Sequence, residues 1–165
     1  MTNNNNLKKI ERVEHIRTEA ADLFAKKGYS AVGVAELCEA TGLGRGALYH
    51  YINSKEDILY DISTRYIEKL IEESREILAS EPDPIERVRK LSYSMIAVVF
   101  AHSAEMAVCI RESHALSDKR HKHVSQLHSD YQQIWDDVLA QGATQGTFRT
   151  VPRLAVTGIM GMFFY

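Results

Sequence analysis

The chain has 165 residues, 45% of them hydrophobic and 25% charged, which fits one ordinary domain or two small ones and excludes a disordered or collagen-like chain. Three prolines and nine glycines leave little room for a turn-rich β design. Net charge is −2, with eight basic and eight acidic residues over 1–57 and twelve and fourteen over 58–165, so bulk charge advertises no nucleic-acid partner and any such function must rest on where particular charges sit.

Helical spacing recurs throughout, and strict apolar/polar alternation is absent, so the expected fold is all-α. A first helix is predicted over 7–27, with Ile10, Val13, Ala20 and Phe24 on one face, Ile16 and Leu23 on its flank, and Gly28 as its stop. Tyr29 and Val32 are expected to pin the connector to the core. Two short helices follow, over 34–40 and 45–52, joined by Thr41-Gly42-Leu43-Gly44, with Leu37, Leu43 and Leu48 spaced to lock them together. This is a helix-turn-helix pattern. Ser54 with Asp57 three residues on predicts the start of a long helix reaching Ser80. Asp83, Pro84 and Glu86 predict the next start, of a helix to His102. Further helices are expected over 104–116, over 118–145 with Gly146 as stop, and after Pro152. The apolar run ending at Tyr165 has no polar cap, so the chain is expected to continue beyond it and part of a dimer interface to be missing.

Cys38 and Cys109 are too few for a disulfide framework, which suggests a reducing compartment. The N-terminus is polar, with Asn3 to Asn6, and lacks the apolar run of a signal peptide. The stretch from Met95 to Ala104 is too short to span a bilayer. The expected product is a soluble cytoplasmic protein with no membrane partner.

In a helix-turn-helix the second helix enters the major groove and its N-terminal residues reach base edges. Here that helix offers Arg45, Gly46, Ala47, Tyr49 and His50. Gly46 and Ala47 permit close approach, Arg45 can donate two hydrogen bonds to guanine, and Tyr49 and His50 can reach phosphate or a base edge. Lys55 adds a positive charge at the start of the next helix. A plain helical hairpin with exposed polar residues has the same spacing, so the residues alone leave both readings open. Gly42, Gly44 and Ala47 also fit a dinucleotide-binding fingerprint, but no strand precedes them.

The ordered run Phe24-Ala25-Lys26-Lys27-Gly28-Tyr29, Val34-Ala35-Glu36-Leu37, the stretch from Gly42 through Tyr51 to Ile52, and Ser54-Lys55-Glu56-Asp57-Ile58-Leu59 resembles the N-terminal domain of TetR-family transcriptional repressors. The resemblance implies a three-helix DNA-binding domain over 1–54 and a helical ligand-binding and dimerisation body over 55–165. It places Arg45, Ala47, Tyr49, His50, Tyr51 and Lys55 at DNA-contacting positions. Gly33 and Gly44 depart from the family, which usually has Thr or Ser at the first and often Ser or Thr at the second. The implied partners are a near-palindromic operator duplex, a second copy of the chain, and a small apolar effector.

Met95, Val99, Phe100, Met106, Cys109, Tyr131 and Trp135 are expected to be mostly core. For the effector, Met95, Val99, His102, Met106, Cys109, Arg111, Tyr131 and Trp135 are candidate pocket residues, with Glu112 and His114 as further polar candidates. The pattern from Trp135 to Gly142, followed by Gly146-Thr147-Phe148-Arg149, resembles family members that sense acyl-coenzyme A thioesters, whose phosphates Arg111, Lys119, Arg120 and Lys122 would meet. A drug-like or aromatic effector is equally compatible. His114, His121 and His128 share a seven-residue spacing, but no compact metal-ligand set is read, no cofactor is expected, and no catalytic constellation appears. The expected function is a ligand-responsive DNA-binding repressor. The alternatives are a helical regulator without a small effector and a protein-interaction module that does not bind DNA.

Overall fold

The computed structural model describes residues 2–149 together with Thr157, Gly158 and Gly161. Among them are seven α-helices and no strand: α1 (Thr2–Lys27), α2 (Val34–Thr41), α3 (Arg45–Tyr51), α4 (Lys55–Ser80), α5 (Pro84–Ala101), α6 (Ser103–Glu112) and α7 (Asp118–Thr144), with a 3-10 turn at Ser113–Ala115. The chain forms two compact units, one of Met1–Ser63 with Ala104–His121 and one of Thr64–Ser103 with Lys122–Tyr165. Among the described residues no single helix is long and apolar enough to cross a membrane.

The first unit is built on Ile16, Ala20 and Phe24 of α1, Leu37 of α2, Leu48 of α3 and Leu59 and Ile62 of α4, all buried. Val32 is buried and the Tyr29 ring meets Phe24 edge-on at 5.2 Å, so the α1–α2 connector is pinned as its apolar residues suggest. The turn after α2 follows from one residue. Gly42 sits at φ 65°, Leu43 N–H reaches the Cys38 carbonyl at 3.1 Å and Gly42 N–H reaches that of Glu39 at 3.3 Å. This paired closure needs a left-handed residue, which glycine adopts without a Cβ clash.

The second unit buries Tyr66, Ile67 and Leu70 of α4, Leu91, Met95 and Val98 of α5, and Val124, Tyr131, Trp135 and Val138 of α7. Asp83 caps α5 by accepting from Glu86 N–H at 2.9 Å, with Pro84 at the first helical position. Arg87 donates to the Glu81 and Leu78 carbonyls, the latter at 3.1 Å, and to the Gln141 side chain at 2.6 Å, so one guanidinium serves the end of α4 and reaches α7. At the end of α7 the Phe148 ring occupies the space a Cβ on Gly142 would need. That close approach is what the glycine in the Trp135–Gly142 pattern permits.

Several expectations are corrected. α1 starts at Thr2, five residues before the predicted Leu7. Ile10 is 54% exposed, because the helices that cover α1 reach only its later turns. Phe100 is 81% exposed. It lies nine positions from Leu91, roughly 180° around α5 from the face that Leu91, Met95 and Val98 bury. The helix predicted to Leu116 ends at Glu112 and tightens into the 3-10 turn. The helix expected after Pro152, and the interruption inferred at Tyr165, fall outside the described residues apart from Thr157, Gly158 and Gly161.

Gly33 and Gly44 start α2 and α3 in extended conformations, φ −90° and −67°, without a side-chain cap. Glu36 accepts from Gly33 N–H at 3.1 Å, which supplies only half of a capping box. A Cβ at either glycine meets nothing within 4 Å. Gly33→Thr and Gly44→Ser should therefore each raise stability by about 0.5–1 kcal/mol, through a restored cap and a less flexible unfolded chain. Urea unfolding of the two variants checks this, and a lower midpoint in either would show a conflict with its surroundings.

Candidate nucleic-acid interface

α3 is only seven residues long, so its orientation depends on what it buries. Leu48 is fully buried against the first unit's core, and the opposite side faces outward. On a helix Gly46 and His50 lie roughly 160° from Leu48, Ala47 and Tyr49 roughly 100°, and Arg45 roughly 60°. All five are exposed. Arg45 makes no ion pair among the described residues, and its guanidinium lies 5.9 Å from the Tyr49 ring centroid. Tyr51, half-buried at the end of α3, meets the His50 ring edge-on at 5.3 Å. The surface is thus one cation with forked donors, two small residues, and an aromatic and imidazole flank.

Lys55 differs from the other six candidates. Its ammonium donates to the carbonyls of Tyr29 at 2.7 Å and Val32 at 2.8 Å and lies 4.2 Å from the Tyr29 ring centroid. Burial draws its pKa below the usual lysine value, partly offset by Glu112. Two of its three donors hold the α1–α2 connector, a bond across more than twenty residues of sequence that no local spacing announces.

The start of α4 is a reciprocal cap. Ser54 Oγ accepts from Asp57 N–H at 3.1 Å, and Asp57 accepts from the N–H groups of Asn53 and Ser54, both at 3.0 Å. Arg120 donates to Asp57 and lies 3.5 Å from Glu56, which also accepts from Ser117 N–H at 2.9 Å. Burial raises the Asp57 pKa, but the bonds from Arg120, Ser54 and Asn53 outweigh it and hold the carboxyl below its usual range. Arg120 and Arg111 are therefore not free cations for a ligand's phosphates. Arg120 is bound at α4, and Arg111 donates to the Ala25 carbonyl at 2.8 Å. Lys119 and Lys122 remain exposed.

The effector candidates divide between the units. Met95, Tyr131 and Trp135 are buried in the second, with Val99 and His102 half-buried there. Met106 and Cys109 are buried in the first, and Arg111 is exposed. Tyr131 Oη and Trp135 Nε1 are one helical turn apart, and neither makes a well-formed hydrogen bond among the described residues. Burial pushes the Tyr131 hydroxyl up to about 12, against the pull of the neighbouring Trp135 N–H. A further polar pair was not singled out by the sequence reading: Tyr66 Oη lies 2.9 Å from His128 Nε2. The signal was present, since His128 falls on the stripe of Val124, Tyr131 and Trp135. Among the described residues no group of three His, Cys, Asp or Glu side chains is placed to hold a metal ion.

Burial also draws the His128 pKa below the usual histidine value. The unfolded chain then takes up the proton first as pH falls through about 6.5, so stability is lost between that value and the lower folded one. The melting temperature should fall from pH 7 towards pH 5.5, and His128→Gln should flatten the profile. Equal slopes in the two proteins would remove His128 as the source.

Two family models match the chain, one described as bacterial regulatory proteins of the tetR family over residues 16–62 and one as the tetracyclin repressor-like C-terminal domain over residues 81–165. The HTH-type transcriptional repressor KstR2 of Rhodococcus jostii (strain RHA1) is 32% identical over 134 residues, covering 79% of this chain and 65% of that repressor. The chain thus spans about two thirds of the length of this curated relative. Among solved structures, the regulator PfmR from Thermus thermophilus superposes with a TM-score of 0.82 at 31% identity, covering 90% of this chain and 81% of PfmR. The ketosteroid regulator KstR2 of Mycobacterium tuberculosis gives 0.82 at 26%, covering 93% and 80%. AibR, solved with isovaleryl coenzyme A and operator DNA, gives 0.78 at 24%, covering 93% and 84%, a likeness of fold.

Proposed function

The chain belongs to the TetR family of bacterial regulators, and from that premise we propose that it is a ligand-responsive transcriptional repressor acting as a homodimer on a near-palindromic operator. The observation that carries this reading is the set of exposed residues on α3, with Arg45 at its head unpaired among the described residues and Leu48 buried in the core. Arg45 reads a base, Gly46 and Ala47 let the helix approach, and Tyr49, His50 and Tyr51 position it on phosphates. A two-fold dimer places its two α3 helices about 34–36 Å apart, one turn of duplex. Selection of bound sequences from a random duplex pool, followed by a mobility shift, tests this. A palindromic consensus supports it, and absence of any enriched sequence refutes it.

The effector we infer is predominantly apolar and carries a hydrogen-bond acceptor. Tyr131 Oη and Trp135 Nε1 support this, as two buried donors without well-formed partners among the described residues, in the unit that also holds Met95 and Val99. An acyl-coenzyme A thioester and a steroid-derived molecule are the probes to try, the first because AibR was solved with one and the second because KstR2 is named for ketosteroids. The ligand must bind the DNA-competent geometry and its alternative unequally, or it shifts nothing. α7 supplies a route, since Arg120 near its start holds Asp57 of α4 and the same helix carries Tyr131 and Trp135. A thermal-shift panel of both ligand classes, repeated with Trp135→Phe, tests the effector. A shift that Trp135→Phe abolishes supports the donors, and no shift with either class favours a regulator without a small effector.

A further inference from the structure

We propose that α1 carries a second DNA-contacting surface, a cationic cleft that grips the sugar–phosphate backbone beside the groove α3 enters. The inference rests on the DNA-binding reading above and extends it to residues outside the helix-turn-helix. The cleft has a volume of about 430 Å³ and is lined by Lys8, Glu11, Arg12 and His15 of α1 and by Tyr51, the last residue of α3. Lys8, Arg12 and His15 are four and three positions apart, so they form one stripe along the helix.

Tyr51 ties this stripe to the recognition helix. A recognition helix lies in the major groove with its N-terminal residues at base edges, and Tyr51, at the other end of α3, is set on phosphates in the reading above. The cleft is lined by Tyr51, so its cations sit beside that backbone contact.

The charges fit a phosphodiester. Among the described residues neither Lys8 nor Arg12 has an ion-pair partner. Neighbouring acids are engaged, Glu14 with Arg17 at 3.3 Å and Glu19 facing His15 at 3.9 Å. Glu11 is the one acid in the lining. Lys8 and Arg12 are about 6 Å apart along the helix axis, nearly two steps of the roughly 3.4 Å rise per phosphate along one strand. A chain with no excess of positive charge thus concentrates two unpaired cations where the backbone passes.

The test is affinity for a random-sequence duplex of about three helical turns, measured between about 50 and about 200 mM salt. Lys8→Ala with Arg12→Ala should lower the slope of log affinity against log salt by about 1.8 per subunit, close to 0.9 for each lost phosphate contact. The charge-matched control Lys119→Ala with Lys122→Ala should leave the slope unchanged. If the first pair shifts the melting curve, Lys8→Gln with Arg12→Gln keeps much of each stem and carries the same test. A wild-type slope in the α1 variants, or an equal loss in the control, overturns the cleft. If the wild-type chain shows no salt-dependent binding to duplex at all, the DNA-binding reading itself has failed and the cleft falls with it.

Discussion

Arg45→Ala should weaken binding to the selected operator by about 1–3 kcal/mol, roughly five- to 150-fold, and relax the preference at one position in each half-site. Arg45 is the first residue of α3, its entry set by the extended Gly44. It is exposed and unpaired among the described residues, so its donors are available to a base without first breaking an ion pair. The Tyr49 ring 5.9 Å away limits how far the guanidinium wanders before contact. Arg45→Lys should recover little of the specificity, because a single ammonium cannot make the forked pair of bonds to guanine. Binding to random duplex should change far less than binding to the operator. If both fall by the same factor, Arg45 is a phosphate contact and the base is read elsewhere on α3.

Most of the framework was legible because its signals are local. Gly28, Gly42 and Gly146 each have positive φ in the structure, where the reading placed turns or helix stops. Ser54 with Asp57, and Asp83 with Glu86, form the expected caps, since each partner lies within one turn of the other. Leu48 was read as one of the leucines that lock the helix-turn-helix, and it is fully buried. Phe100 was legible too, and its misassignment came from reading an apolar run without its helical phase. What could not be read were bonds between distant segments. Arg120 and Asp57 are 63 residues apart, and Arg111 reaches a carbonyl 86 residues away. From sequence these cations looked like a site for a ligand's phosphates, and only the fold shows that they are already occupied.

Lys55 shows what that difference does to a measurement. Read from sequence it is a phosphate contact, and Lys55→Ala should then lower the salt slope by about one unit per subunit and leave stability unchanged. In the fold its ammonium bonds to two backbone carbonyls and packs on Tyr29. Its loss strips a charged donor from each carbonyl and frees the connector that leads into α2. The expected result is a loss of about 2–4 kcal/mol in stability, from two charge-assisted bonds and a cation–ring contact. Lys55→Met, which keeps an unbranched apolar stem, should recover only the packing. One N–H of Lys55 has no partner in the clamp, so a phosphate contact can coexist with it. Urea unfolding and a salt series on the same two variants separate the roles. A stability loss with an unchanged slope makes Lys55 purely a positioning residue for α2 and α3. A stability loss with a slope lowered by about one unit means it does both. Wild-type stability would show that the connector holds without its lysine, and the clamp would then have no energetic weight.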